Sequence, residues 1–105
     1  MSSTIFEKNG TLLTVKPEGR VDTATAPALE TEMAAYLDGV TNVVMDFRKV
    51  EYISSGGLRV LLTTQQALED LGGGVKVIHV NDYILSVLDM VGFTDVLEVV
   101  PDSGE

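Results

Sequence analysis

Asn42-Val43-Val44-Met45-Asp46-Phe47 and, just downstream, Tyr52-Ile53-Ser54-Ser55-Gly56-Gly57-Leu58-Arg59 decide how this chain is to be read. The first stretch is a short apolar run closed by a charge, the pattern of a strand buried on both faces. The second passes from an apolar pair through two hydroxyls and two glycines into helical spacing. Leu58, Leu61, Leu62, Leu68 and Leu71 carry that spacing until Gly72-Gly73-Gly74 stops it. A buried strand leading into an amphipathic helix is half of a crossover unit, and crossovers build parallel sheets.

Upstream, Gly19-Arg20-Val21-Asp22 leads to Thr25, placed to cap a helix that accepts Pro27 in its first turn. Leu29, Met33, Tyr36 and Leu37 lie on one face of that helix, which is expected to end near Asp38-Gly39. Earlier still, Thr4-Ile5-Phe6-Glu7 and Thr11-Leu12-Leu13-Thr14-Val15 flank Asn9-Gly10, a pair suited to a tight antiparallel hairpin. Downstream, Val75-Lys76-Val77-Ile78-His79-Val80 reads as a second buried strand. Asn81 or Asp82 caps a third helix, with Ile84, Val87, Leu88 and Val91 on its apolar face and Gly92 at its end. Val96 to Val100 supplies the last strand, and Pro101 to Glu105 is expected to fray. The prediction is one α/β domain over residues 1–105. It has a mixed, mostly parallel sheet of about five short strands, an N-terminal hairpin and three or four helices.

With 105 residues, 45% of them apolar, the chain can build one core and has no length for a second. The absence of cysteine removes disulfides, thiolate ligands and cysteine nucleophiles. Sixteen acidic against seven basic residues give a formal charge of −9, which repels a phosphate backbone, so no direct nucleic-acid partner is expected. The start, MSSTIFEKNG, has no basic region before an apolar core, and no window approaches the roughly 20 apolar residues of a membrane span. The expectation is a cytoplasmic protein with no membrane partner.

Enzymatic readings find little support. A nucleophile elbow needs Gly-x-Ser-x-Gly, and neither Ser54 nor Ser55 has a glycine two residues before it. A hydrolase pairing Ser55 with His79, the one histidine, and with Asp46 or Asp82, is carried as the third hypothesis. Gly72-Gly73-Gly74-Val75-Lys76 leads into a strand and lacks the ending of a phosphate loop. Glu30/Glu32 and Asp22/Asp46 do not make a metal site, so no metal and no cofactor are expected.

Ser54 and Ser55 remain. A serine before a helix accepts a backbone N–H bond, and glycines let the chain turn tightly, so capping accounts for much of the stretch. The first turn, however, carries no acid and is followed by Arg59. Uncapped amides, two glycines and a cation suit an added anion. A phosphate there brings about −1.5 to −2 charges, enough to leave the fold intact and eject a partner.

At this point the residues carry a family resemblance. Asp46-Phe47-Arg48-Lys49-Val50-Glu51-Tyr52-Ile53-Ser54-Ser55-Gly56-Gly57-Leu58-Arg59-Val60-Leu61 resembles the signature of the bacterial anti-sigma factor antagonists, the STAS-domain family, in which Asp-Ser-Ser/Thr-Gly-Leu opens a helix. Gly19-Arg20-Val21-Asp22 with Ala26, and Leu88-Asp89-Met90-Val91-Gly92-Phe93, are similar to flanking family patterns. The resemblance implies a domain that binds an anti-sigma factor, often a serine-protein kinase, and frees a sigma factor. Phosphorylation by the kinase releases it, and a metal-dependent serine phosphatase restores it. Ser55 matches the modified serine, with Ser54 the competing acceptor, and Asp22 and Asp46 match acidic positions in the loops beside it.

Two positions depart from the pattern: Ser54 replaces the usual aspartate, and Gly56 stands where Ser or Thr is common. Ser54, Gly56, Gly57, Asp22, Asp46 and Arg59 are therefore expected at the partner surface, with Thr63 and Gln66 further along the helix. The alternative function is a STAS interaction module that is never phosphorylated, in another signalling or transport-regulating complex. Weak nucleotide binding by the Asp22 and Asp46 loops is a further expectation.

Overall fold

The N-terminal hairpin forms where its sequence placed it, with the turn one residue further on. β1 (Ile5–Asn9) and β2 (Leu12–Lys16) run antiparallel and Asn9 pairs with Leu12, so the two-residue loop is Gly10-Thr11 rather than Asn9-Gly10. Gly10 takes φ 65° and Thr11 keeps a negative φ. A positive angle at the first central residue alone is the demand of a type II′ turn, which glycine meets without strain. The computed structural model describes residues 4–101.

The remaining elements are β3 (Glu18–Val21), α1 (Ala26–Ala34), β4 (Asn42–Asp46), β5 (Lys49–Ile53), α2 (Ser55–Glu69), β6 (Gly74–Val80), α3 (Asp82–Met90), a 3₁₀ turn over Phe93–Asp95, and β7 (Glu98–Pro101). Five strands form one sheet in the order β1-β2-β4-β6-β7, antiparallel at the hairpin and parallel elsewhere. This is the α/β class and mixed sheet expected, with three α-helices. β3 and β5 form a separate two-stranded parallel ribbon, which the sequence reading did not foresee. The apolar pair Tyr52-Ile53 that precedes the serines is the end of β5.

Burial along the strands is one-sided. Leu13, Val43 and Val75 align across β2, β4 and β6, as do Val15, Met45 and Val77, and all six are buried. Their neighbours Thr14, Val44 and Lys76 align on the other face and are only half-buried. The expectation of strands buried on both faces is thus corrected. Even in a parallel sheet, the alternation of inward and outward residues survives when cover is uneven. α2 packs on β6, α1 on α2, and α3 on β5 and β7, closing a single core around Phe47, Leu61, Ile84 and Leu88.

The helix ends follow local chemistry, with two departures. Gly72 takes φ 81°, and the amides of Gly72 and Gly73 bond back to the carbonyls of Glu69 and Leu68, so the glycine run does stop α2. α1 ends at Ala34, short of Asp38, because Tyr36 leaves the helix to stack on Phe6 at 4.7 Å between ring centroids. The last strand begins at Glu98, and Pro101 belongs to it, pairing with Val80 rather than fraying. The rest of the expected tail lies outside the described residues.

Candidate functional site

β5 hands the chain to α2 at Ser54, which is the N-cap position with extended backbone angles. The Ser54 amide donates to the Val21 carbonyl at 3.1 Å, so the helix start is pinned to the end of β3. Gly56 and Gly57 make that approach geometrically feasible. A Cβ on Gly56 would lie 2.7 Å from Thr23 Cα, and one on Gly57 would collide with the Val21 carbonyl oxygen. The departure at Gly56 therefore has a steric reason in this chain: the β3–α1 loop lies directly against the helix start.

The hydroxyls of the two serines differ. Ser54 does not cap the helix, and its Oγ is buried without a hydrogen-bond partner among the described residues. The expected serine cap is thus corrected: the side chain turns inward, away from the first-turn amides. Ser55 is exposed at the first helical position. No side chain caps α2 and no acid stands in its first turn, so the positive end of the helix dipole faces outward uncompensated. Arg59, Thr63 and Gln66 continue from Ser55 as an exposed strip at helical spacing, and Arg59 forms no ion pair among the described residues.

Beside this start sits Asp22. Its Oδ1 accepts from the amides of Ala24 and Thr25, both at 3.0 Å, and its Oδ2 accepts from Arg20 Nε at 3.0 Å. The Arg20 guanidinium, together with those amides, holds the carboxyl below its ordinary value of 3.8. Asp22, not Thr25, orders the entry to α1. Thr25 makes no cap bond, and instead its Oγ1 donates to the Arg20 carbonyl and accepts from the Asp22 amide. The same Arg20 stacks over Tyr52, 4.3 Å from the ring centroid, and Tyr52 stacks on Tyr83 at 5.9 Å. Sequence reasoning missed this Arg20-Tyr52-Tyr83 stack. Its signal is the ribbon register, which sets Arg20 opposite Tyr52 and becomes visible only once β3 and β5 are paired.

Asp46 does not join the group. It ends β4, where its Oδ1 accepts from the Arg48 amide at 3.0 Å, and it lines a cleft with Lys16, Glu18 and Lys49. Glu18 and Lys49 are the starting pair of the ribbon, whereas Asp22 and Ser54 follow its far end. At about 3.3 Å per residue, the length of β5 separates the two acids by more than 10 Å. They line no common nucleotide site. His79 lies at the Asp46 end, where its Nε2 accepts from Arg48 Nη2 at 2.7 Å and its backbone holds a left-handed φ of 56°. The Ser55/His79 pair of the hydrolase hypothesis is not assembled. No group of three or more metal-ligating side chains converges among the described residues. No helix among them is long and apolar enough to cross a membrane.

The sequence and its fold have counterparts among known proteins. A family model described as the STAS domain matches residues 3–105. The chain is 35% identical over 83 residues to a Bordetella bronchiseptica protein described as an anti-sigma factor antagonist, BtrV, covering 78% of this chain and 72% of that one. Among solved structures, an anti-sigma factor antagonist from Mycobacterium paratuberculosis is 26% identical with a TM-score of 0.83, over 96% of this chain and 86% of that one. The Bacillus protein SpoIIAA, at 14% identity, shares the fold in two forms. Its unphosphorylated form gives a TM-score of 0.81 over 92% of this chain and 87% of that one. Its phosphorylated form gives 0.73 over 92% and 90%.

Proposed function

Because this chain belongs to the STAS-domain family, we propose that it is a cytoplasmic anti-sigma factor antagonist, a binding protein rather than an enzyme, switched by phosphorylation of Ser55. In the unmodified state it binds an anti-sigma factor that is itself a serine-protein kinase, and so frees a sigma factor. Phosphorylation ends the complex, and a serine phosphatase restores it. The observation that carries this reading is the start of α2: an exposed Ser55 on an uncapped helix end, seated by Gly56 on the Asp22-Thr23 loop and by Gly57 on Val21 and Ile53.

The physical argument is one of differential cost. A phosphate on Ser55 meets the positive helix end, worth roughly 0.3–1 kcal/mol on an exposed helix, so the fold keeps its stability. In a complex closed around a neutral hydroxyl, the same group must be desolvated or repelled. Burial of the Ser54 hydroxyl favours Ser55 as the acceptor, since a kinase reaches an exposed oxygen without displacing the helix start. Asp22, Gly56 and Arg59 complete the partner surface; Gly57, expected there from the sequence, is buried against Val21 and Ile53 and only supports it from within, and Asp46 is left outside it.

Incubation with the candidate anti-sigma kinase and ATP, followed by intact-mass measurement, tests the switch. The expected result is a gain of about 80 daltons, one phosphate, absent in Ser55→Ala and retained in Ser54→Ala. No gain, or a gain that survives Ser55→Ala, overturns it.

A further inference from the structure

Between β3 and α1 lies an open cleft of about 370 Å³, bordered in part by Ala24 and Thr25 of the β3–α1 loop. Pro17, Val21, Ala28 and Leu29 give it apolar walls, and Glu32 reaches it from the second turn of α1. Glu32 Oε1 is buried and has no hydrogen-bond partner among the described residues. The other charges at the cleft are already engaged. Glu18 pairs with Lys49 at 3.7 Å, and Arg20 is held by Asp22 and by the Tyr52 ring. A solvent-excluded carboxylate oxygen without a donor is an arrangement proteins avoid unless something supplies the donor. The space is far larger than the ~30 Å³ share of one water.

We propose that this cleft is a binding site for a primary alkylammonium group, with the ammonium donating to Glu32 and its aliphatic stem lying against Val21, Ala28 and Leu29. A cation matches the one unengaged charge and the formal net charge of −9, and a short apolar stem matches the walls. Neither a free amine nor the lysine side chain of another protein is distinguished by this chemistry, since both present the same atoms.

Titration of the isotopically labelled protein with n-butylammonium chloride at fixed ionic strength, followed by amide chemical shifts, tests the proposal. The expected result is saturable shifts at Val21, Ala28 and Leu29 in the millimolar range, the scale set by so few ligand atoms. n-Butanol, the same stem without the charge, binds at least about tenfold more weakly, and Glu32→Gln weakens the ammonium by a similar factor. Ala28→Phe, which keeps the carboxylate and occupies the cleft mouth, also removes saturation. In both variants the shifts remote from the cleft stay unchanged, showing an intact fold. Saturation by Nα-acetyl-lysine methylamide as well assigns the site to a partner's lysine, and saturation by butylammonium alone assigns it to a free amine. Absence of saturable shifts in the unmodified protein, or binding unaffected by Glu32→Gln, overturns the proposal.

Discussion

The starts of α2 and α3 occupy equivalent places, each following a parallel strand, yet they are finished in opposite ways. At α3, Asn81 Oδ1 accepts from the Ile84 amide at 2.7 Å, Asn81 Nδ2 donates to the Val50 carbonyl, and Asp82 supplies first-turn charge. At α2, Ser54 turns its hydroxyl inward, no acid follows, and two glycines occupy the first turn. One end is built to hold a helix and the other is held by its neighbours: Ser54 by the Val21 carbonyl, and the glycines by close contact with Val21 and Thr23. A helix end stabilised from outside can keep its own amides available.

Substitutions can break this contrast, and the largest effect is expected at the close contact. Gly57→Ala gains helix propensity worth ~1 kcal/mol, but its Cβ would strike the Val21 carbonyl and come within 2.7 Å of Ile53 Cγ1. Urea unfolding should show a net loss of about 2–3 kcal/mol. Ser55→Asp places a charge at the open end. Affinity for the anti-sigma partner, measured calorimetrically, is expected to fall by about 2 kcal/mol or more, while the melting temperature stays level or rises slightly.

Smaller effects sharpen the same comparison. Asn81→Ala should cost about 1 kcal/mol in urea unfolding, the usual loss of a helix cap. Ser54→Ala, nominally the same change at the same position of the other helix, should cost close to nothing, because no cap bond is lost and an unpartnered buried hydroxyl is removed. The last effect is on acidity. The folded Asp22 carboxyl titrates below 3.8, so its contribution is complete above that value and is lost as pH falls through the lower folded value. Thermal melts of the native protein and of Asp22→Asn should therefore converge below pH 3.8.

Much of this was legible in the chain. β4, β6 and all three helices carry local periodicity, and Gly72-Gly73-Gly74 and Gly92 mark ends that the structure keeps. β3 and β5 escaped because each is short, rich in charge, and paired as a strand with the other alone, some thirty residues away. With the ribbon unseen, Asp46 and Asp22 looked adjacent through their common nearness to the serine motif, while the ribbon's length keeps them apart. Ser54 was legible as an N-cap position and not as a hydroxyl facing inward, since spacing fixes backbone place but not the rotamer. The tight seat of Gly56 on Thr23 was equally hidden, because contact with the β3–α1 loop is a tertiary property.

The uneven cover of the five-stranded sheet carries a consequence for how this sequence can drift over generations. At Leu13, Val43 and Val75 an altered side chain must still fit a filled interior, so replacements are confined to similar volumes. One position along each strand, Thr14, Val44 and Lys76 lean toward solvent, where polarity and length are negotiable. Descendants of this chain should thus diverge in alternate letters, conserving one side of the sheet while rewriting the other.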